Sequence, residues 1–332
     1  MIGKRYSVAL VGAGRMGERW AKVIARSPRA SLSVIIDAEA SRASRLARHF
    51  GASYSANLAD AFSLSPDVVC IATPHKFLYP IATRALSAGA HVFVEKPGSK
   101  TSREMRRLVA LAKKKRRVLM VGFNYRFFDS LQKAKEILAL GKIGRALSVR
   151  ITHGHPGRAG YEREWRMNKD LAGGGVLMDQ GVHLIDLARW FLDEPVVRVS
   201  ASLSNRAWRT SVEDSAGMLL ETKTKRAALL SMSIAEWRPV FSCEILGENG
   251  YILIPGLGRK YGDGRHMTVG VFDRKTHILK ERTLLCDPDA ERALAREFSA
   301  FMGAVARGGY RELQAEAAVE TLRIVEEIYA KE

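Results

Sequence analysis

Residues 173–186 read GGGVLMDQGVHLID: three glycines, an aspartate at 179 and a histidine four places later at 183. On a helix that spacing puts Asp179 and His183 on one face. A neutral imidazole that titrates near the working pH can take a hydroxyl proton while a carbinol loses hydride. The carboxylate could orient that ring or bind an adjacent substrate hydroxyl. Asp186, three residues further on, is a rival partner for the histidine or a structural residue. The glycines would let backbone pass close to a cofactor or substrate with no Cβ in the way.

Hydride needs an acceptor. In VALVGAGRMGERW, Gly12, Gly14 and Gly17 form G-x-G-x-x-G directly after an apolar run and at the start of a helical pattern. That context makes the spacing a dinucleotide fingerprint. Gly12 allows the tight turn, Gly14 lets backbone approach a pyrophosphate, and Gly17 lets the helix pack close to the sheet. Ala13, Arg15 and Met16 complete the loop, and the pyrophosphate would rest on the helix N-terminus. Asp37 ends the next apolar run, where a carboxylate accepts ribose hydroxyls and repels a 2′-phosphate. NAD is therefore favoured, while Arg42 and Arg45 keep NADP possible. Thr73 and Pro74 end a later run and Glu95-Lys96-Pro97 another, at the carboxyl edge where doubly wound sheets bind ligands. Lys96 would be a positioned cation able to stabilise a developing alkoxide.

The elements that must hold these residues follow from the hydrophobic rhythm. YSVALV, LSVIID, DVVCIATP, HVFVEKP and VLMVGF are near-continuous apolar runs separated by amphipathic stretches. Such runs imply a parallel sheet covered on both faces. The pattern stops near residue 123. Beyond it, ALSVRITHG, VVRVSASLS, SAGMLLET, AALLSMSI, FSCEILG, MTVGVFD and HILKERTLL read as strands of a mostly antiparallel sheet with one exposed or partner-covered face. Two helices end the chain. The expected fold is α/β: an N-terminal Rossmann doubly wound parallel sheet in residues 1–122, then an α+β domain with an open-faced, mostly antiparallel sheet in 123–332. A chain of 332 residues suits two such domains.

Composition narrows the partners. The chain is 47% hydrophobic and 27% charged, as globular packing requires. No apolar run approaches a membrane span, and the first residues read as a strand rather than a signal peptide, so a cytoplasmic protein is expected. Cys70, Cys243 and Cys286 form no C-x-x-C pair and read as small core residues. His153-x-His155 alone offers too few ligands, so no metal is expected. The net charge is +18, with its densest run at residues 113–117 closing a helix whose dipole it complements. No nucleic-acid signature accompanies it. An anionic small molecule, such as a phosphorylated or nucleotide-linked sugar, fits that charge better.

With these residues in hand the sequence resembles the Gfo/Idh/MocA oxidoreductases. The resemblance runs through VGAGRMG, IATP, VEKP, VGFNYRF, GKIGRALSVRI, EWR, AGGGVLMDQGVHLIDLARW and VEDSAGMLLE. It implies a Rossmann domain followed by an open-faced sheet domain. It also implies that Lys96 lies near the nicotinamide and the reacting oxygen, and that Asp179 and His183 form the substrate-site pair. Thr73, Glu95 and Asn124 match secondary cofactor contacts, and Trp165 with Arg166 matches a frequent pair before the glycine block, also expected to touch the cofactor. Arg126, His155, Arg158 and Tyr161 are candidate substrate residues. One position departs: many members carry a histidine where this chain has Leu78, and His75 stands out of register. The open sheet face implies a homodimer or homotetramer.

The resulting expectation is NAD(P)-dependent hydride transfer between the nicotinamide and a ring carbon, a secondary alcohol or ketone of a sugar, cyclitol or nucleotide-linked sugar. His183 would be the acid/base, Lys96 would polarise the oxygen and Asp179 would orient. Other readings stay open: a glycosidase-type enzyme with a closed redox cycle, an aldose–aldose oxidoreductase holding NADP, or a non-catalytic dinucleotide-binding sensor.

Overall fold

The first apolar run forms β1 (Tyr6–Val11), whose last four residues are buried. A computed structural model describes residues 4–258 and 261–332. After β1 the chain alternates helix and strand: α1 (Arg15–Arg26), β2 (Ala30–Ile36), α2 (Ala40–Phe50), β3 (Ser53–Ser55), α3 (Asp60–Ser63), β4 (Val68–Ile71), α4 (His75–Ser87), β5 (His91–Glu95), α5 (Ser102–Lys115) and β6 (Val118–Gly122). Then come α6 (Asp129–Ala139), β7 (Ala146–Gly154), α7 (Lys169–Ala172), α8 (Val182–Leu192) and seven strands. These are β8 (Val196–Ser204), β9 (Ser215–Thr222), β10 (Ala227–Ser233), β11 (Val240–Gly247), β12 (Gly250–Ile254), β13 (His266–Asp273) and β14 (Ile278–Leu285). The end is α9 (Ala290–Arg307), β15 (Arg311–Leu313) and α10 (Ala315–Tyr329).

Two compact units result. The first holds the described residues of Met1–Phe123 with Leu294–Leu322; the second holds Asn124–Ala293 with Arg323–Glu332. In the first, the strands run in the order β15-β6-β5-β4-β1-β2-β3, all pairings parallel. This is the doubly wound order, extended by one edge strand. Its strand order reverses between β1 and β4, whose carboxyl ends open the ligand crevice.

The sequence reading put everything after residue 122 in the second domain. Leu294–Leu322 instead belongs to the first unit, and packing explains why. Phe298 and Phe301 on α9 are buried against Phe93 of β5, with ring centroids 6.4 and 5.6 Å away. Trp20 of α1 lies edge-on to Phe93 at 4.5 Å. Periodicity shows that α9 has an apolar face but not which core receives it.

In the second unit the order is β14-β13-β12-β11-β7-β10-β9-β8. β7 and β10 are parallel and the other pairings antiparallel. Alternation sets its two faces. Val149, Ile151, Met218, Leu230, Met232 and Ile245 are buried, while Leu219 and Leu229, opposite each other in β9 and β10, are exposed. The sequence pattern missed β3, β12 and β15, all five residues or shorter. Cys70 and Cys243 are buried, but Cys286 is only half-buried.

Candidate active site

The glycine-rich loop of the first unit is built by close backbone approach. Gly12 has φ +103°, and a Cβ there would lie 2.5 Å from the Ala72 carbonyl oxygen at the end of β4. A Cβ on Gly17 would lie 1.9 Å from the Gly12 carbonyl oxygen. Both positions exclude a side chain for internal reasons. Gly14 differs: a Cβ there meets nothing within 4 Å. The open space lies at the N-terminus of α1, which no side chain caps, where helix N–H groups attract an anion.

Asp37 buttresses this loop. One carboxylate oxygen accepts the Ala13 N–H at 2.7 Å, and the other accepts the Glu39 N–H at 2.9 Å. Each oxygen keeps a lone pair for a ribose hydroxyl. Arg15 is exposed and Met16 half-buried at the loop rim. Arg42 pairs with Glu39 at 2.8 Å and Arg45 with Glu18 at 3.4 Å, both on the surface. The Thr73 hydroxyl is buried with no hydrogen-bond partner, and Pro74 caps α4 directly after it. An open anion cradle, a strand-end carboxylate and an orphaned hydroxyl at the switch point fit a dinucleotide.

Glu95 has a tie that the sequence did not reveal. Its carboxylate accepts the Trp20 indole N–H at 2.7 Å. Burial pushes its pKa up, and the indole N–H only partly offsets this. Lys96 follows, half-buried at the end of β5. Leu78 is fully buried in α4 and His75 is buried at its first turn.

In the second unit, Asp179 and His183 lie where a single wide π turn, Leu177–Gly181, runs into α8. π turns are uncommon and often mark functional sites. Both residues are buried, at 6% and 5% exposure. Asp179 is held by the Gln180 amide at 3.1 Å and faces Arg166 Nε at 3.4 Å. Arg166 lies over the Trp165 ring and also reaches Glu164. Thus Arg166, expected at the cofactor, faces the candidate substrate carboxylate. The His183 ring is stacked on Tyr125, 4.2 Å between centroids and 12° between planes.

Asp186 is not the partner of His183. It accepts from Arg126 Nε and Nη2, each at 2.7 Å, and its own side chain is 1% exposed. Arg126 is therefore the counter-ion of a buried carboxylate, a task its sequence position did not suggest. Arg158 is paired with Glu164 and lies over Tyr161, which is buried beside Trp208. Burial raises the Tyr161 phenol well above its usual range. His155 accepts the Gly157 N–H on Nδ1 at 3.0 Å. Its ring is 6.3 Å from that of His153 and almost perpendicular to it. Asn124 opens the short 3-10 turn that carries Tyr125 and Arg126.

The glycine block has a different cause from the one expected. Gly173 closes α7 in the left-handed conformation, φ +85°. A Cβ on Gly174 would lie 1.9 Å from the Tyr329 hydroxyl, and one on Gly175 would lie 2.0 Å from the Glu213 carbonyl oxygen. The block makes room for the protein itself. Glu213 binds it further: its carboxylate accepts the N–H groups of Gly175 and Leu177 and the Tyr329 hydroxyl, at 2.7–3.0 Å. Burial, then the Glu213 charge, pushes the Tyr329 phenol far up. Glu213 stands in the quoted VEDSAGMLLE, yet no local pattern gives it this task. Tyr125 likewise stands next to Asn124 without a local mark.

Among the described residues no cluster of three His, Cys, Asp or Glu could hold a metal ion, and no helix is long and apolar enough to cross a membrane.

Comparison with known proteins places this geometry. Residues 6–123 match the family model described as oxidoreductase family, NAD-binding Rossmann fold, and residues 131–253 match the GFO/IDH/MocA C-terminal domain. A levoglucosan dehydrogenase of Pseudarthrobacter phenanthrenivorans is 35% identical over 57% of this chain and 51% of its own length. An inositol 2-dehydrogenase of Rhizobium meliloti is 29% identical over 68% of this chain and 67% of its own. The match thus spans about half the length of the first relative. The crystal structure of GenD2 from gentamicin A biosynthesis in complex with NAD has a TM-score of 0.84 at 26% identity, covering 99% of this chain and 95% of that one. With both of its domain models matched in order along the chain, the protein belongs to the Gfo/Idh/MocA family, and its first unit is an NAD-binding Rossmann fold.

Proposed function

We propose that the protein is an NAD-dependent dehydrogenase that oxidises a ring CH–OH of a sugar or cyclitol, or reduces the matching ketone. The observation that carries this reading is the buried Asp179–His183 pair on one helical turn, in a chain that also holds an NAD-binding unit. The names of its relatives, levoglucosan and inositol dehydrogenases, support the substrate class. Nucleotide-linked sugars and NADP remain within the proposal's range. The surface engagement of Arg42 and Arg45 by carboxylates supports NAD.

Gly12, Ala13, Gly14, Arg15, Met16 and Gly17 would cradle the pyrophosphate, Asp37 the ribose, and Thr73 would add its buried hydroxyl. Bound NAD supplies the hydride acceptor. His183 takes the hydroxyl proton in oxidation and returns it in reduction. Asp179, held by Arg166 and Gln180, binds a neighbouring hydroxyl or the imidazole. Lys96, at the end of β5, would polarise the reacting oxygen.

The test is NADH formation across a panel of sugars, cyclitols and nucleotide sugars, with wild type, His183→Ala and Lys96→Ala side by side. Turnover should fall by about a thousandfold or more in His183→Ala, the upper range for loss of a general base, with NAD affinity retained. Unimpaired turnover in that variant removes His183 as the acid/base.

The same proposal includes a cytoplasmic homodimer or homotetramer joined through the open sheet. Exposed Leu219, Leu229, Leu253 and Leu279 support it. Light scattering should show an oligomer, and Leu219→Glu with Leu229→Glu should give monomers. A monomeric wild type would sink this part alone.

A further inference from the structure

An imidazole has little intrinsic preference about its second side-chain torsion. The nitrogens of His183 therefore point where the neighbours make them point. The flat neighbour is Tyr125, stacked face to face on the ring at 4.2 Å. Tyr125 is itself held. Its hydroxyl lies 3.0 Å from His153 Nε2 on β7. Phe128 and Phe241 close on it edge-on, at 5.8 and 6.1 Å. Burial keeps the phenol protonated, and the direction of its bond to His153 Nε2 follows the histidine tautomer. The other groups around this stack are Asp179 with Arg166 on it, and Tyr261, whose ring is 4.9 Å from that of His153.

We propose that Tyr125 is the positioning residue of His183: its stacked ring fixes the plane in which the imidazole presents its nitrogens, and the hydrogen bond to His153 holds the tyrosine in place. The inference rests on reading His183 as the group that moves the hydroxyl proton. Tyr125 touches no reacting atom in this scheme. It acts through the histidine.

Three variants test this: Tyr125→Leu, Tyr125→Phe and His183→Ala, each checked for folding and NAD affinity. Tyr125→Leu removes the stack. Its kcat should fall about ten- to a hundredfold, as for a misplaced catalytic group, with NAD affinity unchanged. The acidic limb of its kcat/KM profile should move toward lower pH, because an aromatic face favours the imidazolium. Tyr125→Phe keeps the stack and loses only the bond to His153. It should fall between wild type and Tyr125→Leu, with the acidic limb of wild type. Wild-type kcat with an unmoved limb in Tyr125→Leu overturns the proposal, and so does a Tyr125→Phe variant as impaired as Tyr125→Leu. Should Tyr125→Leu not fold, Tyr125→Met supplies the same comparison with more of the volume kept. An active His183→Ala sinks the His183 reading itself. An inactive His183→Ala beside a normal Tyr125→Leu sinks only the stacking inference.

Discussion

Two glycine-rich turns, one in each unit, look alike in sequence and differ in what fills them. In the first unit, Gly12 and Gly17 press backbone on backbone, yet Gly14 faces open space. In the second, Gly174 and Gly175 face Tyr329 and Glu213 of the protein itself. A glycine that internal atoms do not require leaves room for something else. A glycine that internal atoms do require is part of the scaffold. The first turn is a cradle and the second a joint that sets the Asp179–His183 turn in place.

The largest effects should come from breaking the joint or the base of the cradle. Gly17→Ala and Gly175→Ala each force a methyl to within about 2 Å of a carbonyl oxygen. Each should cost about 1–3 kcal/mol by overpacking, read from denaturant unfolding. The two should then part. Gly17→Ala should lose NAD binding, whereas Gly175→Ala should keep it and lose turnover. If Gly175→Ala weakens NAD binding more than turnover, the contrast between the turns is wrong.

Gly14→Ala sharpens the contrast. Its melting temperature should stay at the wild-type value, because the methyl meets no protein atom. Its NAD affinity should fall about tenfold or more, the overpacking cost now being felt by the ligand. A drop in melting temperature with unchanged affinity would make Gly14 scaffold like the others.

A smaller effect is expected at the second turn. Tyr329→Phe removes one of the donors to Glu213, while the N–H groups of Gly175 and Leu177 remain. The expected loss is about 1 kcal/mol, one hydrogen bond, again with NAD binding intact.

Acid should probe the cradle's sheet most gently. His91 on β5 accepts the Val118 N–H on Nδ1 at 2.9 Å. Burial, with Arg117 adding to it, lowers its pKa from 6.5 to about 4. Between those values the unfolded chain binds a proton that the folded chain does not. Stability should therefore fall as pH drops through that window and stay level above it. Allowing for solvent screening of a half-buried ring, the change is about 1 kcal/mol. His91→Gln should remove this slope in thermal unfolding followed against pH; an unchanged slope would place its origin elsewhere.

Much of the fold was legible because it is local. β1, β2, β4, β5 and β6 are near-continuous apolar runs, and a buried parallel strand needs little more. The spacing of Gly12, Gly14 and Gly17 after β1 is a local statement too, and the alternation in β9 and β10 shows which face is open. The candidate site was less legible. The Asp179–His183 spacing pointed to one helical turn but not to the π turn that carries it. Asp186 and Arg126 each seemed available until the structure paired them. The short strands β3, β12 and β15 are too brief for periodicity to declare.

The sequence alone determined the sheet class, the dinucleotide loop and the family resemblance, because each rests on a period or on spacings within a few residues. Only the tertiary structure decided that α9 serves the first unit, that Glu213 and Tyr329 fill the glycine block, and that Tyr125 lies on His183. Glu213 and Tyr329 are 116 residues apart, and Tyr125 and His153 are 28 apart. Their partnership comes from packing surfaces brought together by the whole chain, and no local period encodes it.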